Sequence, residues 1–236
     1  MAVMMQLSIW SIDLSTFDEI ISLYDTYGNE KYMIDEDITQ RSHALQAALI
    51  AFLAGAPDHV VLGLLVHDIG QLCYQTHLDH TQYLHAEHDE LGEHWLKSKG
   101  FPAAICALVR FHTAVKILLC REHPDYFSHL SKASQESFLI QKEKYSQEPE
   151  QVTLHTLLQS PYLEDIKYAR YCDDMAKIVD LKENSLPSFE SYRPLFARVV
   201  KKEEKTFNPQ WKETVQNFYQ LMTTDRQEFE KILLLR

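Results

Sequence analysis

Apolar positions recur at helical spacing along almost the whole chain, and strict alternation of the kind a strand needs is nowhere sustained. Thr16 with Glu19 reads as a capping box opening a helix that runs to about Tyr27 and is closed by Gly28. Residues 29–39 are polar and acidic and read as a loop. From about Gln40, RSHALQAALIAFLAGA predicts a helix stopped by Gly55 and Pro57. Asp58 leads into VVLGLLVHDIGQLCY, a helix apolar on most faces and therefore buried. Residues 75–86 lack a period and read as a loop over the core.

AEHDELGEHWLKSKG is an amphipathic helix ended by Gly100, and Pro102 starts another that carries AAICALVRFHTAVKILLC. Residues 121–152 hold one short helix and an exposed polar segment, KEKYSQEPEQ. YLEDIKYARYCDDMAKIVD is the next helix, and NSLPSFESYRPLF a turn with a short helix. KKEEK at 201–205 is a solvated helix end, and about 207–236 form one amphipathic helix. The predicted fold is all-α, one helical bundle with an additional C-terminal helix, and the length of 236 residues suits a single domain.

Composition narrows the function classes. The net charge is −11, from 23 Lys and Arg against 34 Asp and Glu, so a broad nucleic-acid or anionic-membrane surface is not expected. Any anionic substrate must be held by a local group of cations. No apolar run reaches the about 18 residues of a membrane span, and the N-terminus lacks a basic stretch ahead of a long apolar one. Cys73, Cys106, Cys120 and Cys172 form no CxxC pair, which suits reduced thiols in a cytoplasmic protein.

Histidine is over-represented, with 12 residues. His67-Asp68 lies inside a strongly apolar run, where an ionisable pair needs a matching cation or hydrogen bonds. Alone, such a dipeptide fits a satisfied core histidine followed by a capping Asp. Its company changes that. His43 precedes it by 24 residues, His88 follows by 21, His112 by a further 24 and Asp173 by 61 more, so the candidates come from separate predicted helices. Helical bundles build metal sites from inward-facing side chains of this kind. Four imidazoles and two carboxylates without thiolate suit Fe, Mn, Zn or Co. Six protein donors exceed the usual need of one catalytic ion with open positions, so a pair of ions is the economical expectation.

The set H…HD…H…H…D resembles the HD-domain superfamily, and His88 with His112 its dinuclear members. TQRSHALQAALIA, VLGLLVHDIGQL, HDELGEHWLKSKGF, FHTAVKILL, YFSHLSKASQESFLIQ and ARYCDDMAKIVD resemble, in order and spacing, the phosphonate-catabolising HD-domain oxygenases, relatives of myo-inositol oxygenase. The resemblance spans about Tyr32 to Val200. It divides the chain into an N-terminal helix packed on the core (1–31), a diiron core (32–202) and a C-terminal helical extension (203–236). It implies two iron ions, mixed-valent Fe(II)/Fe(III), with O2 as co-substrate. His43, His67, Asp68 and Asp173 would hold one iron, His88 and His112 the other, and Asp68 would bridge them.

The same resemblance assigns Lys116, Ser134 and Arg170 to phosphonate binding. Lys116 is four residues after His112 and Arg170 three before Asp173, so each shares a helix face with a predicted ligand. Read singly, Lys116 is also a snorkelling surface lysine, Arg170 a partner for Glu164 and Ser134 a helix cap. Glu36, seven before His43, matches a carboxylate facing the substrate's amino end, and is equally one acid of a solvated Asp35-Glu36-Asp37 loop. Tyr32 is the candidate for a tyrosine that occupies the open iron position, but Met33 stands at the matching place. Gln71 replaces the histidine of the family's HDxGH, which removes a group that titrates near neutral pH. His85 competes with His88 as a ligand, His77, His80 and Asp79 lie in a loop that could gate the pocket, and His59, His94, His123, His129 and His155 read as surface or capping residues.

The implied function is a non-haem diiron oxygenase that hydroxylates or cleaves a small phosphonate such as 2-aminoethylphosphonate. The alternatives are a dinuclear phosphohydrolase acting on a phosphate ester or nucleotide, and a regulatory HD module without turnover. The expected partner is a small anionic substrate, without nucleic acid or membrane, and the expected state is a monomer or weak homodimer. Removing Arg170 is expected to weaken substrate binding and leave iron in place.

Overall fold

A computed structural model of the chain describes residues 12–33, 36–75, 84–148, 151–202 and 208–234, with all their side chains except those of 32, 33, 36, 74, 75 and 84–87. Its helices are α1 (Ser15–Tyr27), α2 (Gln40–Ala54), α3 (Asp58–Leu65), α4 (Ile69–Gln75), α5 (Leu84–Ser98), α6 (Ala103–Phe111) and α7 (Val115–Glu122). They continue as α8 (Tyr126–His129), α9 (Lys132–Gln147), α10 (Val152–Leu158), α11 (Leu163–Met175), α12 (Arg193–Val200), α13 (Trp211–Thr224) and α14 (Arg226–Leu234). The fold is all-α apart from a small hairpin.

The centre is α2, α3, α6 and α11 packed on one another. Helix α2 is buried on nearly all sides, and its Ala44, Ala47, Ala48, Ala51 and Ala54 let neighbouring helices approach closely. Thr39 caps it, Oγ1 accepting from the Ser42 amide at 3.0 Å, and Gly55 ends it with φ 76°. Outside this centre α1 packs on α4, α12 on α3, α13 on α11 and α2, and α14 on α13. Among the described residues no single helix is long and apolar enough to cross a membrane.

Several elements differ from the expectation. The long helix through VVLGLLVHDIGQLCY is two, α3 and α4, separated by a turn at 66–68 that holds His67 and Asp68. The Tyr24 hydroxyl of α1 donates to the Leu65 carbonyl at 3.0 Å, satisfying an acceptor that the break releases. The helix after Pro102 is likewise two, α6 and α7, bent by 68° at the turn holding His112. Residues 29–39 are not merely loop: Lys31–Met33 and Glu36–Thr39 form an antiparallel hairpin, β1 and β2. Much of the expected exposed segment is the end of α9, held because Tyr145 is buried. The C-terminal region is two helices meeting at Asp225 instead of one. The predicted capping box at Thr16 is absent. Asp13 Oδ1 accepts from the Ser15 amide at 3.0 Å, Thr16 is buried, and Glu19 instead pairs with Lys99.

The tightest crossing is α4 on α5, and glycine makes it possible. A Cβ on Gly70 would stand 1.9 Å from the His88 carbonyl oxygen and 2.7 Å from the Gly92 nitrogen, both backbone atoms that cannot yield separately. Gly70→Ala should therefore destabilise the fold by about 3 kcal/mol and disturb the backbone of His88. Thermal or denaturant unfolding with metal analysis checks this; a variant as stable and as metal-competent as the wild type would refute it.

Candidate metal centre and anion pocket

The six predicted donors come together and are all buried. They form two groups, His43 with His67 and Asp173, and Asp68 with His88 and His112, each with its three donor atoms within 4.8 Å of one another. In the first, the Nε2 atoms of His43 and His67 are 3.1 Å apart and Asp173 Oδ1 lies 3.2 Å from His43 Nε2. In the second, the Nε2 atoms of His88 and His112 are 3.0 Å apart. Asp68 joins the groups through its two oxygens. Oδ2 is 3.1 Å from His67 Nε2, and Oδ1 is 3.2 Å from His88 Nε2 and 3.4 Å from His112 Nε2.

Backbone tethers aim three of the rings. His67 Nδ1 donates to the Leu64 carbonyl at 2.6 Å and His112 Nδ1 to the Val109 carbonyl at 2.6 Å, each three residues back across a helix break. His43 Nδ1 donates to the Ala176 carbonyl at 2.8 Å. A proton held on Nδ1 leaves the Nε2 lone pair turned to the centre, the form a metal ligand needs. Burial holds the His112 pKa below its ordinary value, which keeps that ring neutral.

The residues fit a metal pair. Asp68 Oδ2 and Asp173 Oδ1 are buried without a hydrogen-bond partner among the described residues although imidazole nitrogens lie beside them. Edges of 3.0–3.4 Å are those of donors sharing an ion at about 2.1 Å. A bound cation would give these oxygens a partner.

Cations cluster beside the centre. Lys116, Arg170 and Lys177 are buried, and Lys116 Nζ donates to Ser137 Oγ at 3.0 Å. Burial, then the charges of Arg170 and Lys177, lower the Lys116 pKa to about 7. Ser134 does not cap α9; Ser131 does, while Ser134 Oγ accepts from Lys177 Nζ. Arg170 has carboxylate partners, but Glu164 is not among them and pairs instead with Lys167. Its Nη1 donates to Asp173 Oδ2 at 2.6 Å and to the His112 carbonyl at 3.4 Å, and its Nε to Asp174 Oδ1 at 3.0 Å. Arg170 thus orients a candidate metal ligand, and its removal would leave Asp173 and Asp174 buried without it. The expectation that iron binding would survive Arg170→Ala is revised on this ground.

Gln71 Nε2 donates to Asp68 Oδ1 at 3.1 Å and Gln71 Oε1 accepts from Gln40 Nε2 at 2.5 Å, so the residue in the histidine position touches the shared carboxylate. Tyr32 lies in β1 and Glu36 begins β2, but the side chains of both, and that of His85, lie outside the described residues, as do His77, Asp79 and His80. His94, His123, His129 and His155 are exposed, and His59 pairs with Asp165 at 3.2 Å.

Sequence reasoning missed two groups. Asp89, the acid of a second His-Asp dipeptide, turns away from the donors and accepts from Arg110 Nη1 at 3.0 Å, Thr113 Oγ1 at 2.9 Å and the Tyr145 hydroxyl at 2.9 Å. It ties the residue after His88 to the residue after His112. Lys177 is the other; its place four residues after Asp173 and seven after Arg170 was the available signal.

A scan against protein-family models finds no match. Among curated relatives, [1-hydroxy-2-(trimethylamino)ethyl]phosphonate dioxygenase (glycine-betaine-forming) of Leisingera caerulea is 33% identical over 183 residues, 76% of this chain and 88% of that protein. Hydroxymethylphosphonate dioxygenase of Gimesia maris is 30% identical over 175 residues, 73% of this chain and 82% of that protein. The chain belongs to the family of these phosphonate dioxygenases.

Protons compete with metal here. Burial opposes charge on His67, but Asp68 and then Asp173 outweigh it and raise its pKa from 6.5 to about 9 in the metal-free protein. The stability from protonated His67 is full below 6.5 and lost as pH rises through about 9. Metal uptake needs the neutral ring, so affinity should strengthen over the same window. Titrating metal-free protein at several pH values should give two ions per chain and this trend; one ion per chain, or a pH-independent affinity, would contradict it.

Proposed function

We propose that the chain is an oxygenase that uses two iron ions and O2 to hydroxylate or oxidatively cleave a small organophosphonate, and that its core is an HD domain. The observation that carries this is the Asp68 carboxylate, facing one histidine pair with each oxygen, with buried Lys116 and Arg170 beside the same centre. The relatives named for phosphonate dioxygenation support the chemistry. His43, His67 and Asp173 would hold one iron, His88 and His112 the other, and Asp68 both. In a mixed-valent Fe(II)/Fe(III) state the pair would supply O2 activation for attack on the carbon next to phosphorus.

The protein's own groups then bind and orient. Lys116 and Ser134 present an ammonium and a hydroxyl to the phosphonate, with Arg170 adding positive charge while it holds Asp173. An incoming dianion restores charge to a lysine whose pKa lies at about 7. Gln71 steadies Asp68 and offers an amide that stays neutral across the working pH range, so substrate choice differs from relatives with histidine there. By the resemblance, Glu36 would meet a cationic amino end of the substrate and Tyr32, on the same hairpin, would act beside the iron pair. The four free cysteines support a reducing, cytoplasmic setting.

Iron-loaded protein should consume O2 with members of a phosphonate panel and show a mixed-valent EPR signal that changes on substrate addition. Oxygen-independent phosphate release from nucleotides or phosphate esters, without phosphonate oxidation, would overturn the reading in favour of a phosphohydrolase. Lys116→Met should raise KM by about tenfold or more, the worth of one charge-assisted hydrogen bond, with iron content unchanged. An unaltered KM would remove Lys116 from the pocket.

A further inference from the structure

Residues 176–178, just past α11, form a strap beside the centre. The Ala176 carbonyl holds His43 Nδ1. Gln46, fully buried in α2, brackets the next turn of chain. Its Oε1 accepts from the Ile178 amide at 3.0 Å and its Nε2 donates to the Ile178 carbonyl at 3.0 Å. From the other side Arg226 of α14 donates to the Lys177 carbonyl at 2.7 Å. The backbone of the strap is thus fixed from two helices.

That side chain is 8% exposed and reaches Ser134 Oγ on α9. Ser134 and Ser137 are one helical turn apart, and Ser137 Oγ receives the Lys116 ammonium at 3.0 Å. Two ammonium groups, from α7 and from the strap, therefore converge on two hydroxyls of one helix face. The charge of Lys177 contributes, after burial and Arg170, to the lowered Lys116 pKa, as two lysines facing the same space require. Arg170, the third cation, commits its guanidinium to Asp173 and Asp174. A tetrahedral oxyanion between Lys116 and Lys177 would find a cation on each side and a hydroxyl beside each.

We propose that Lys177 is a direct ligand of the substrate's phosphonate group, paired with Lys116 across Ser134 and Ser137. The inference rests on the phosphonate reading of the pocket and adds to it a residue and a purpose for the C-terminal helices, which hold the strap through Arg226.

The test uses iron-loaded full-length protein, kept anaerobic, with methylphosphonate as the titrated probe in calorimetry and metal content measured in parallel. Lys177→Met should weaken binding by about tenfold or more while two metal ions remain bound, and Lys177→Arg should recover part of the affinity. Wild-type affinity in Lys177→Met overturns the proposal. Lys116→Met separates the two levels: weakened binding there, with none in Lys177→Met, removes Lys177 alone. No methylphosphonate binding by the wild type removes the functional reading and this inference with it. If Lys177→Met does not fold, Lys177→Gln, which keeps a donor but no charge, decides on the same criteria.

Discussion

Two carboxylates and four imidazoles buried at one point form the constraint on which the rest of the structure depends. Asp68 is the hardest to place, because it follows His67 directly and both must face the same centre. Successive side chains of a continuous helix point about 100° apart, so an unbroken helix would aim one of them elsewhere. The chain breaks instead, between α3 and α4, and α1 supplies the Tyr24 hydroxyl to a carbonyl near the break. The same solution recurs between α6 and α7 for His112, with the same tether of Nδ1 to a carbonyl three residues earlier. Two distant stretches of sequence thus reach one local geometry, each turning a histidine into the same buried centre.

The centre is held by neighbours that never enter it. Arg170 clamps Asp173 and touches the His112 carbonyl, so the late helix is tied to the turn of the bent helix pair. Asp89 does the corresponding work on the other side, joining Arg110, Thr113 and Tyr145. The chain holds two His-Asp dipeptides, and their acids have opposite fates. Asp68 sits in a turn and faces inward; Asp89 sits in α5, where regular helix geometry sends it away from the face that carries His88.

The two C-terminal helices are integral to this scaffold. Asn208 donates its amide to the Gly55 carbonyl at 3.0 Å, α13 packs on α11 and α2, and Arg226 reaches the strap after α11. Each contact falls on an element that carries a residue of the centre or its tether. The Tyr219 ring lies 4.5 Å from that of Tyr171, extending the aromatic packing around α11.

Helical class, the order of the main helices and the six residues that converge at the centre were legible in the sequence. Apolar period is a local property, and histidines inside strongly apolar stretches stand out against their surroundings. The same period could not locate the breaks at His67 and His112, since apolar residues continue through both, nor the division at Asp225 between two helices of similar character. Nor could it distinguish Asp68 from Asp89, assign Arg170 to Asp173 and Asp174 in place of Glu164, or bring Lys177 to Ser134 across 43 residues. Residue chemistry and spacing are properties of the chain and determined what could be built; which carboxylate bends inward and which cations meet depends on contacts between distant elements, and these exist only once the helices have packed.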